Sequence, residues 1–338
     1  MSTIETPIDF VITWVDGHDP EWLKERNYYA SIEHVEVDNG IARFRDWENL
    51  QYWFRGIEKF APWVNKIYFV TYGHVPEWLD TKHQKIRIVK HSDFIPAEYL
   101  PTFNSNVIEF FFHRIQGLSE HFVYFNDDFF LIDYVSPSRF FRDGLPCDMA
   151  ALSADSFNRP SIFDSSVYLS TALINKHFSK SEVMRRNLTK WFSSHYIKTS
   201  LRNASLAFLP LFPGFNVNHV PLSFLRSTYL DVWGHCGSEL ERTSRCKFRQ
   251  YGIVAFWLFR YWQLATGNFY PYNTDSDGEF LEIQDYNIDW IAGRIEQQKK
   301  SIVCLNDTEN ISDFQLCKTK IIEAFDKILP ERCSFELS

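Results

Sequence analysis

A chain of 338 residues, 45% hydrophobic and 23% charged, carries enough apolar side chains for one large core or two modest ones. Its formal net charge of −8 excludes the broadly basic face that non-specific nucleic-acid binding needs, although a local basic pocket for an anionic ligand stays open. No apolar segment approaches the roughly 20 residues of a membrane helix, and no basic–apolar export signal is present, so the reading is a soluble cytoplasmic protein. The six cysteines form no CxxC pair and read as free thiols. Cys236 and Cys246, near His235, show no fourth ligand for a structural metal. Aromatic residues make up 17%. Most must fill a core, but rings are also platforms for sugars and bases.

In chain order, "IDFVITWVD" has the pattern of a strand that ends on polar residues at "DGHD", and "PEWLKERNYYASIEHV" of a helix with Pro20 near its start. "ENLQYWFRGIEKFAPW" places Leu50, Trp53, Phe54, Ile57 and Phe60 at helical spacing and stops before Pro62. "NKIYFVTYG" and "KIRIVKHSDFI" read as strands two and three, "NSNVIEFFFHRIQGLSEH" as a helix and "FVYFNDDFFLI" as a fourth strand. Strand and helix alternate through about 135 residues, which predicts a mostly parallel sheet with helices on its faces, an α/β fold. In the later half, "SKSEVMRRNLTKWFSSH" and "KFRQYGIVAFWLFRYWQLATG" read as helices, the second apolar nearly all round and so buried. "LFPGFNVNHVPLSFL" reads as a loop and "NTDSDGE" as a surface turn whose spacing is wrong for an EF-hand.

Ligands of such sheets bind beyond the carboxyl ends of the strands. Asp16 in "WVDG" and the Asn126-Asp127-Asp128 group both fall at strand ends, so a shared site is geometrically open to them. A carboxylate in an apolar run must pair, protonate or bind a metal. The "FNDD" pair reads equally as a capping turn or as a hard-oxygen site for Mg²⁺ or Mn²⁺ on a diphosphate. Asp16 reads as a routine turn residue or as a partner of a hydroxyl or metal. "RFRDWENLQYWFR" offers Arg43, Arg45, Asp46, Asn49 and Arg55, where an arginine fork can clamp phosphate, although a solvated helix start explains it better. His219 lies in a breaker-rich loop, where a general base or a plain surface histidine both fit. Arg249 precedes the apolar helix and reads as a phosphate ligand or a surface cap.

These stretches together resemble the Stealth family, which includes bacterial capsular-polysaccharide phosphotransferases and the catalytic part of the animal N-acetylglucosamine-1-phosphate transferase. The likeness runs over nearly the whole chain in four blocks. They are "IDFVITWVDGHDPEW"; "RFRDWENLQYWFRG" onward to "HFVYFNDDFF"; a looser third from "LINKHFSK" through "NHVPLSFLRSTYLDVW" to "KFRQYGIVAFW"; and "SIVCLNDTENISDF" with "SFELS". By position, the resemblance implies that Asp16 is the first-block acidic residue, Asp127 and Asp128 the second-block pair, His219 the catalytic histidine and Arg249 the essential arginine. The animal enzymes have "HMPH" where this chain has "HVPL", so the second histidine is missing.

The resemblance further implies a GT-A-like (Rossmann-like) nucleotide-sugar part over 1–145 and a more helical part over 146–338 that completes the site, the two integrated as one catalytic domain. The implied reaction moves sugar-1-phosphate, with N-acetylhexosamine the leading choice, from a UDP-sugar to a glycan hydroxyl and releases UMP. Asp128, with Asp127, would hold Mg²⁺ or Mn²⁺; Arg249 and Arg43 would bind phosphoryl oxygens; His219 or Asp16 would be the base. Asn126, Asn104, Ser105, Asp46, Asn306 and Asp307 are further substrate-binding candidates. The expected setting is capsular or cell-surface polysaccharide synthesis, with no nucleic acid, and peripheral association with a membrane capsule-assembly complex. The rival readings are a glycosyltransferase that attacks the anomeric carbon and releases UDP, and a noncatalytic scaffold of that complex.

Overall fold

The computed structural model describes residues 6–33, 45–154 and 160–337. Its strands are β1 (Ile8–Trp14), β2 (Ile67–Thr71), β3 (Ile86–Lys90), β4 (His121–Phe125), β5 (Phe129–Leu131), β6 (Phe141–Arg142), β7 (Leu145–Asp148), β8 (Leu222–Leu225), β9 (Tyr270–Pro271), β10 (Gly278–Glu282) and β11 (Ile302–Asn306). The main sheet has the order β3-β2-β1-β4-β8, with β1 to β4 parallel and β8 antiparallel at one edge. A second sheet runs β10-β11-β5, with β10 and β11 parallel and β5 antiparallel; a third, small sheet joins β6, β7 and β9. The α/β expectation, a mostly parallel sheet flanked by helices, is met.

Why β1 reads as an unbroken apolar run is visible in its packing. Phe10, Val11 and Ile12 are all fully buried because helices cover both faces of a central parallel strand. Phe10 and Ile12 face a core that also holds the helix Leu50–Phe60, the second sheet and the helix Phe314–Ile328. Val11 faces the other core, built with Tyr124 and the helices Arg226–Ser244 and Trp257–Thr266. The edge strand β3 keeps Arg87 and Lys90 exposed, which discourages pairing with another chain. Helix Leu50–Phe60 lies close on β5. A Cβ at Gly56 would sit 2.5 Å from the Leu131 carbonyl oxygen, so only glycine permits that approach.

Several sequence expectations change. "FVYFNDDFFLI" is not one strand: β4 ends at Phe125, the chain turns through Asn126–Asp128, and β5 enters the second sheet. Both strands are buried, so the apolar run resumes after the polar turn with nothing to mark the change of sheet. The helix in "NSNVIEFFFHRIQG" covers only Ser105–Phe110. Phe110, Phe111 and Phe112 are all buried, which one face of a continued helix could not achieve, and a 3₁₀ turn follows over Phe112–Arg114. The helix after Arg249 starts at Trp257. Gly252 is left-handed (φ 85°), and the amides of Val254, Ala255 and Phe256 donate to Thr243, Ser170 and Asn106 side chains instead of to helix carbonyls. Finally, "PLSFL" is no loop but supplies β8. Strands β8 and β11, from the later half of the chain, pair with β4 and β5 from the first.

Candidate active site

The order β3-β2-β1-β4 means that the chain winds outward from β1, then returns to its other side. The crevice between the carboxyl ends of β1 and β4 is thus the topological switch point, where such sheets bind ligands. Ile12 pairs with Phe125, so the chain leaves β1 toward Asp16 and β4 toward Asn126 at the same edge.

Asp127 stays reachable by water although protein surrounds it, and this desolvation pushes its carboxyl up to about 6. Asp128 is half-buried. Burial, then the neighbouring Asp127 charge, push its carboxyl up to about 7 against a weaker pull from Cys304. Cys304 on β11 donates its Sγ–H to Asp128 Oδ2 at 3.3 Å, and the Leu305 amide donates to the Asp128 carbonyl. Asp128 Oδ1 is buried without a hydrogen-bond partner. An orphaned buried oxygen is costly, so its presence needs a reason.

Asn126 is fixed from below. Tyr124, on β4, donates to Asn126 Oδ1 (2.6 Å) or to Glu109 Oε1 (2.9 Å), and lies 3.2 Å from Thr13 Oγ1. Glu109 is buried. Desolvation pushes its carboxyl up to about 7, against Arg249 and hydrogen bonds from Tyr124 and Ser105. Arg249 Nη2 donates to Ser105 Oγ. A continuous path therefore links exposed Arg249 through Ser105, Glu109 and Tyr124 to Asn126. Asn104 does not face ligand. It is fully buried, caps the helix Ser105–Phe110 by accepting from the Asn106 amide, and donates to the Cys246 and Phe248 carbonyls. Its placement corrects the substrate-binding expectation: it ties the Arg249 segment to the helix that bears Ser105 and Glu109.

Asp16 closes its own turn, with Oδ1 accepting from the His18 amide at 2.8 Å. Its amide donates to His74 Nε2 at 2.7 Å. His74 is therefore neutral with its proton on Nδ1, and burial holds its pKa below the ordinary value.

His219 lies on the other flank. Its loop is held by buried groups: Asn218 donates to Thr274 Oγ1 (2.8 Å), and Arg260 Nη1 donates to the Asn216 carbonyl (2.7 Å). A Cβ on Gly278 would lie 2.4 Å from Val220 Cγ1, so β10 must begin on glycine for the loop to seat. The His219 ring packs on Phe280 of β10 (centroids 4.5 Å apart), and desolvation lowers its pKa against the Glu282 charge. Phe280 is the register partner of Cys304, so two adjacent strands connect His219 to Asp128.

The arginine-rich segment behaves differently from the expectation. Arg43 lies outside the described residues. Arg45 donates to Asp307 Oδ1 (3.2 Å) and the Thr308 carbonyl, and Trp47 donates to Asp307 Oδ2, so Asp307 is occupied. Asp46 is exposed and accepts from the Glu48 amide in its own turn. Arg55 forks onto Glu336 (2.7 and 3.0 Å) near the end of the chain. These residues staple the fold; Arg45, Asp46 and Arg55 present no phosphate clamp. Asn306, beside Glu282 at the end of β11, stays on the His219 flank.

Sequence reasoning missed Glu109, Tyr124, Cys304 and Phe280. Glu109 alone carried a signal, a single acid inside the apolar run "VIEFFF"; the others look like ordinary core residues until the sheets bring them together.

The donor set fits a small hard cation. No group of three or more His, Cys, Asp or Glu residues converges among the described residues. Two carboxylates with one unpartnered buried oxygen leave most coordination positions to phosphate and water, as Mg²⁺ or Mn²⁺ prefers. Two cavities, about 200 Å³ beside Arg139 and Tyr272 and about 590 Å³ beside Lys190 and Tyr270, contain none of these residues.

Fold and site thus define an α/β protein with a carboxylate pair at the switch point, flanked by an arginine and a histidine. Residues 6–32 match Stealth protein CR1, conserved region 1, and residues 43–147 match Stealth protein CR2, conserved region 2. Capsular polysaccharide phosphotransferase WcwK of Streptococcus pneumoniae is 41% identical over 97% of this chain and 98% of that one. Receptor polysaccharide phosphotransferase WefC of Streptococcus oralis is 39% identical over 98% and 99%, and exopolysaccharide phosphotransferase cps2G of Lactiplantibacillus plantarum is 37% identical over 97% and 96%. The chain belongs to the Stealth protein family. Among solved structures, galactosyltransferase LgtC in complex with donor and acceptor sugar analogs aligns over 95% of this chain and 96% of that one, with 10% identity and a TM-score of 0.40, a likeness too loose to bear on the site.

Proposed function

We propose that the protein is a phosphotransferase of polysaccharide synthesis, moving sugar-1-phosphate from a UDP-sugar to a glycan hydroxyl. The observation that carries this reading is the unpartnered Asp128 oxygen beside Asp127 at the switch point, in a chain whose full-length relatives are named polysaccharide phosphotransferases. The acceptor oxygen attacks the β-phosphorus. The bond from that phosphorus to the bridging oxygen breaks, and UMP leaves with the bridging oxygen and its electron pair. The hydroxyl proton goes to His219, which its lowered pKa keeps neutral and ready to accept. Asp127 and Asp128 would hold Mg²⁺ or Mn²⁺, which supplies charge neutralisation at the diphosphate when bound. Arg249 faces developing negative charge, with Ser105 and Glu109 fixing its direction. Asn126, held by Tyr124, is left its amide N–H groups to donate to a phosphate or sugar oxygen. Asp16, on the β1 side of the crevice, orients a substrate hydroxyl.

N-acetylhexosamine remains our choice of donor sugar. No described helix is long and apolar enough to cross a membrane. A cytoplasmic protein docking at the inner membrane face is part of the proposal. The deciding experiment incubates the protein with a panel of UDP-sugars, divalent cation and capsule oligosaccharides, then identifies the nucleotide. UMP with a new phosphodiester is expected; UDP would replace this reading with ordinary glycosyl transfer, and no turnover would favour the scaffold.

A further inference from the structure

Along the second sheet, β10 and β11 are parallel and in register, with Phe280 beside Cys304 and Glu282 beside Asn306. Register partners in parallel strands point to the same face, and residues two apart share it. These four side chains therefore form one patch, about 5 by 7 Å between positions, the footprint of a single pyranose ring. Cys304 is buried and turned to Asp128, which places the patch against the carboxylate pair. Phe280 is 41% exposed although its ring touches His219, so part of its ring is open to a ligand. Glu282 is exposed and Asn306 half-exposed, and neither side chain has a hydrogen bond or ion pair among the described residues. Gly278 seats Val220 on the same face, which holds His219 over Phe280.

We infer that Phe280, Glu282 and Asn306 form the subsite for the acceptor sugar, a pyranose of the glycan whose hydroxyl receives the sugar-1-phosphate. The reading rests on the proposed phosphotransferase function. An apolar ring beside a carboxylate and an amide is the complement of a sugar, whose C–H face stacks while its rim of hydroxyls donates and accepts. Position argues for acceptor over donor. The switch-point crevice of β1 and β4 lies on the Asp16 side of the carboxylate pair, while the patch lies on the opposite flank, under the group that takes the acceptor proton. His219 lies against one face of the Phe280 ring, 4.5 Å between centroids, so a sugar packed on the exposed part of that ring meets the imidazole at its edge. Phe280 is then a binding residue for sugar and a support for the His219 ring.

Direct glycan binding tests this without turnover. Saturation-transfer NMR would be run on wild type, Phe280→Ala, Phe280→Leu and Phe280→Trp with a panel of hexose- and N-acetylhexosamine-containing di- and trisaccharides, with UDP and Mg²⁺ present. Binding is expected in wild type and Phe280→Trp, and a loss of about tenfold in Phe280→Ala and Phe280→Leu. Leucine keeps an apolar support for His219 but lacks a ring face, so it separates stacking from histidine placement. Glu282→Gln should weaken binding while the affinity for UDP, read by calorimetry, stays the same. Equal glycan binding by all variants, or none by wild type, overturns the subsite. The nucleotide-release assay judges the phosphotransferase reading separately, because UMP can form while Phe280 proves irrelevant to glycan binding.

Discussion

Asp128 combines three features that a structural residue would avoid: a buried unpartnered oxygen, an adjacent carboxylate, and a thiol as its side-chain hydrogen-bond donor. Its pKa in the folded protein, about 7, lies above the ordinary 3.8. The folded state therefore binds the extra proton, and without divalent cation stability should fall as pH rises from about 4 to about 7. Cation binding needs the deprotonated carboxylate, so added Mg²⁺ should raise the Tm more at pH 8 than at pH 5.5. Asp128→Asn should reduce the pH dependence of Tm, leaving the share of Asp127 and Glu109, abolish the Mg²⁺ effect and lower turnover by about 10²-fold or more; scanning calorimetry and UMP release check both halves. Cys304 acts through Asp128. Cys304→Val removes the Sγ–H donor, so the Mg²⁺ concentration for half-maximal stabilisation should rise about tenfold or more, with the shift largest near pH 7. An unchanged Mg²⁺ titration would show the thiol to be packing alone.

At the scale of elements, the legible parts were those that physics makes redundant. β1, β2 and β4 are buried on both faces and so are apolar without alternation, while the helix Leu50–Phe60 buries Leu50, Trp53, Phe54, Ile57 and Phe60 on its core side. The polar turn at Asn126–Asp128 was legible, but the passage of β5 into a second sheet was not, because buried phenylalanines stand on both sides of the turn. Strand β8 was hidden because it lies among prolines and owes its pairing to β4 rather than to its own pattern. The loop before it shows what such hidden elements cost to hold in place. Gly278→Ala would drive a methyl group to 2.4 Å from Val220 Cγ1 and 2.9 Å from the Thr274 carbonyl oxygen. The loop must move, because the backbone of Thr274 cannot. We expect a loss of about 1–3 kcal/mol in unfolding free energy and a fall in kcat larger than any change in UDP-sugar affinity. Denaturant titration and steady-state kinetics would show it; full kcat with reduced stability would mean that His219 does not need this seat.

Across the whole molecule, the candidate site is assembled from β1, β4, the turn after it, the helix Ser105–Phe110, the Arg249 segment and the second sheet. Sequence reading set Asp16 and Asn126–Asp128 at one sheet edge and added His219 and Arg249 through the family resemblance, but most of the residues that join them are buried and locally ordinary. One further joint is Arg260. It is 1% exposed and forks onto Asp148 of β7 (2.7 and 2.8 Å), with further bonds to the Met149 and Asn216 carbonyls. A cation there is tolerable only because Asp148 answers it, and it spans from the third sheet to the loop that carries His219. Asp148→Asn leaves a buried guanidinium without its counter-charge, and should cost about 3–5 kcal/mol. The exposed pair Lys176–Glu239 offers the contrast: Lys176→Ala should cost less than about 1 kcal/mol. Replacing both partners, Arg260→Met with Asp148→Leu, removes the charge penalty and should recover much of the stability. The Asn216 carbonyl would still lose its donor, so turnover should stay low in the double variant even where unfolding free energy returns. Recovery of stability and kcat together would show that the His219 loop holds its place without Arg260.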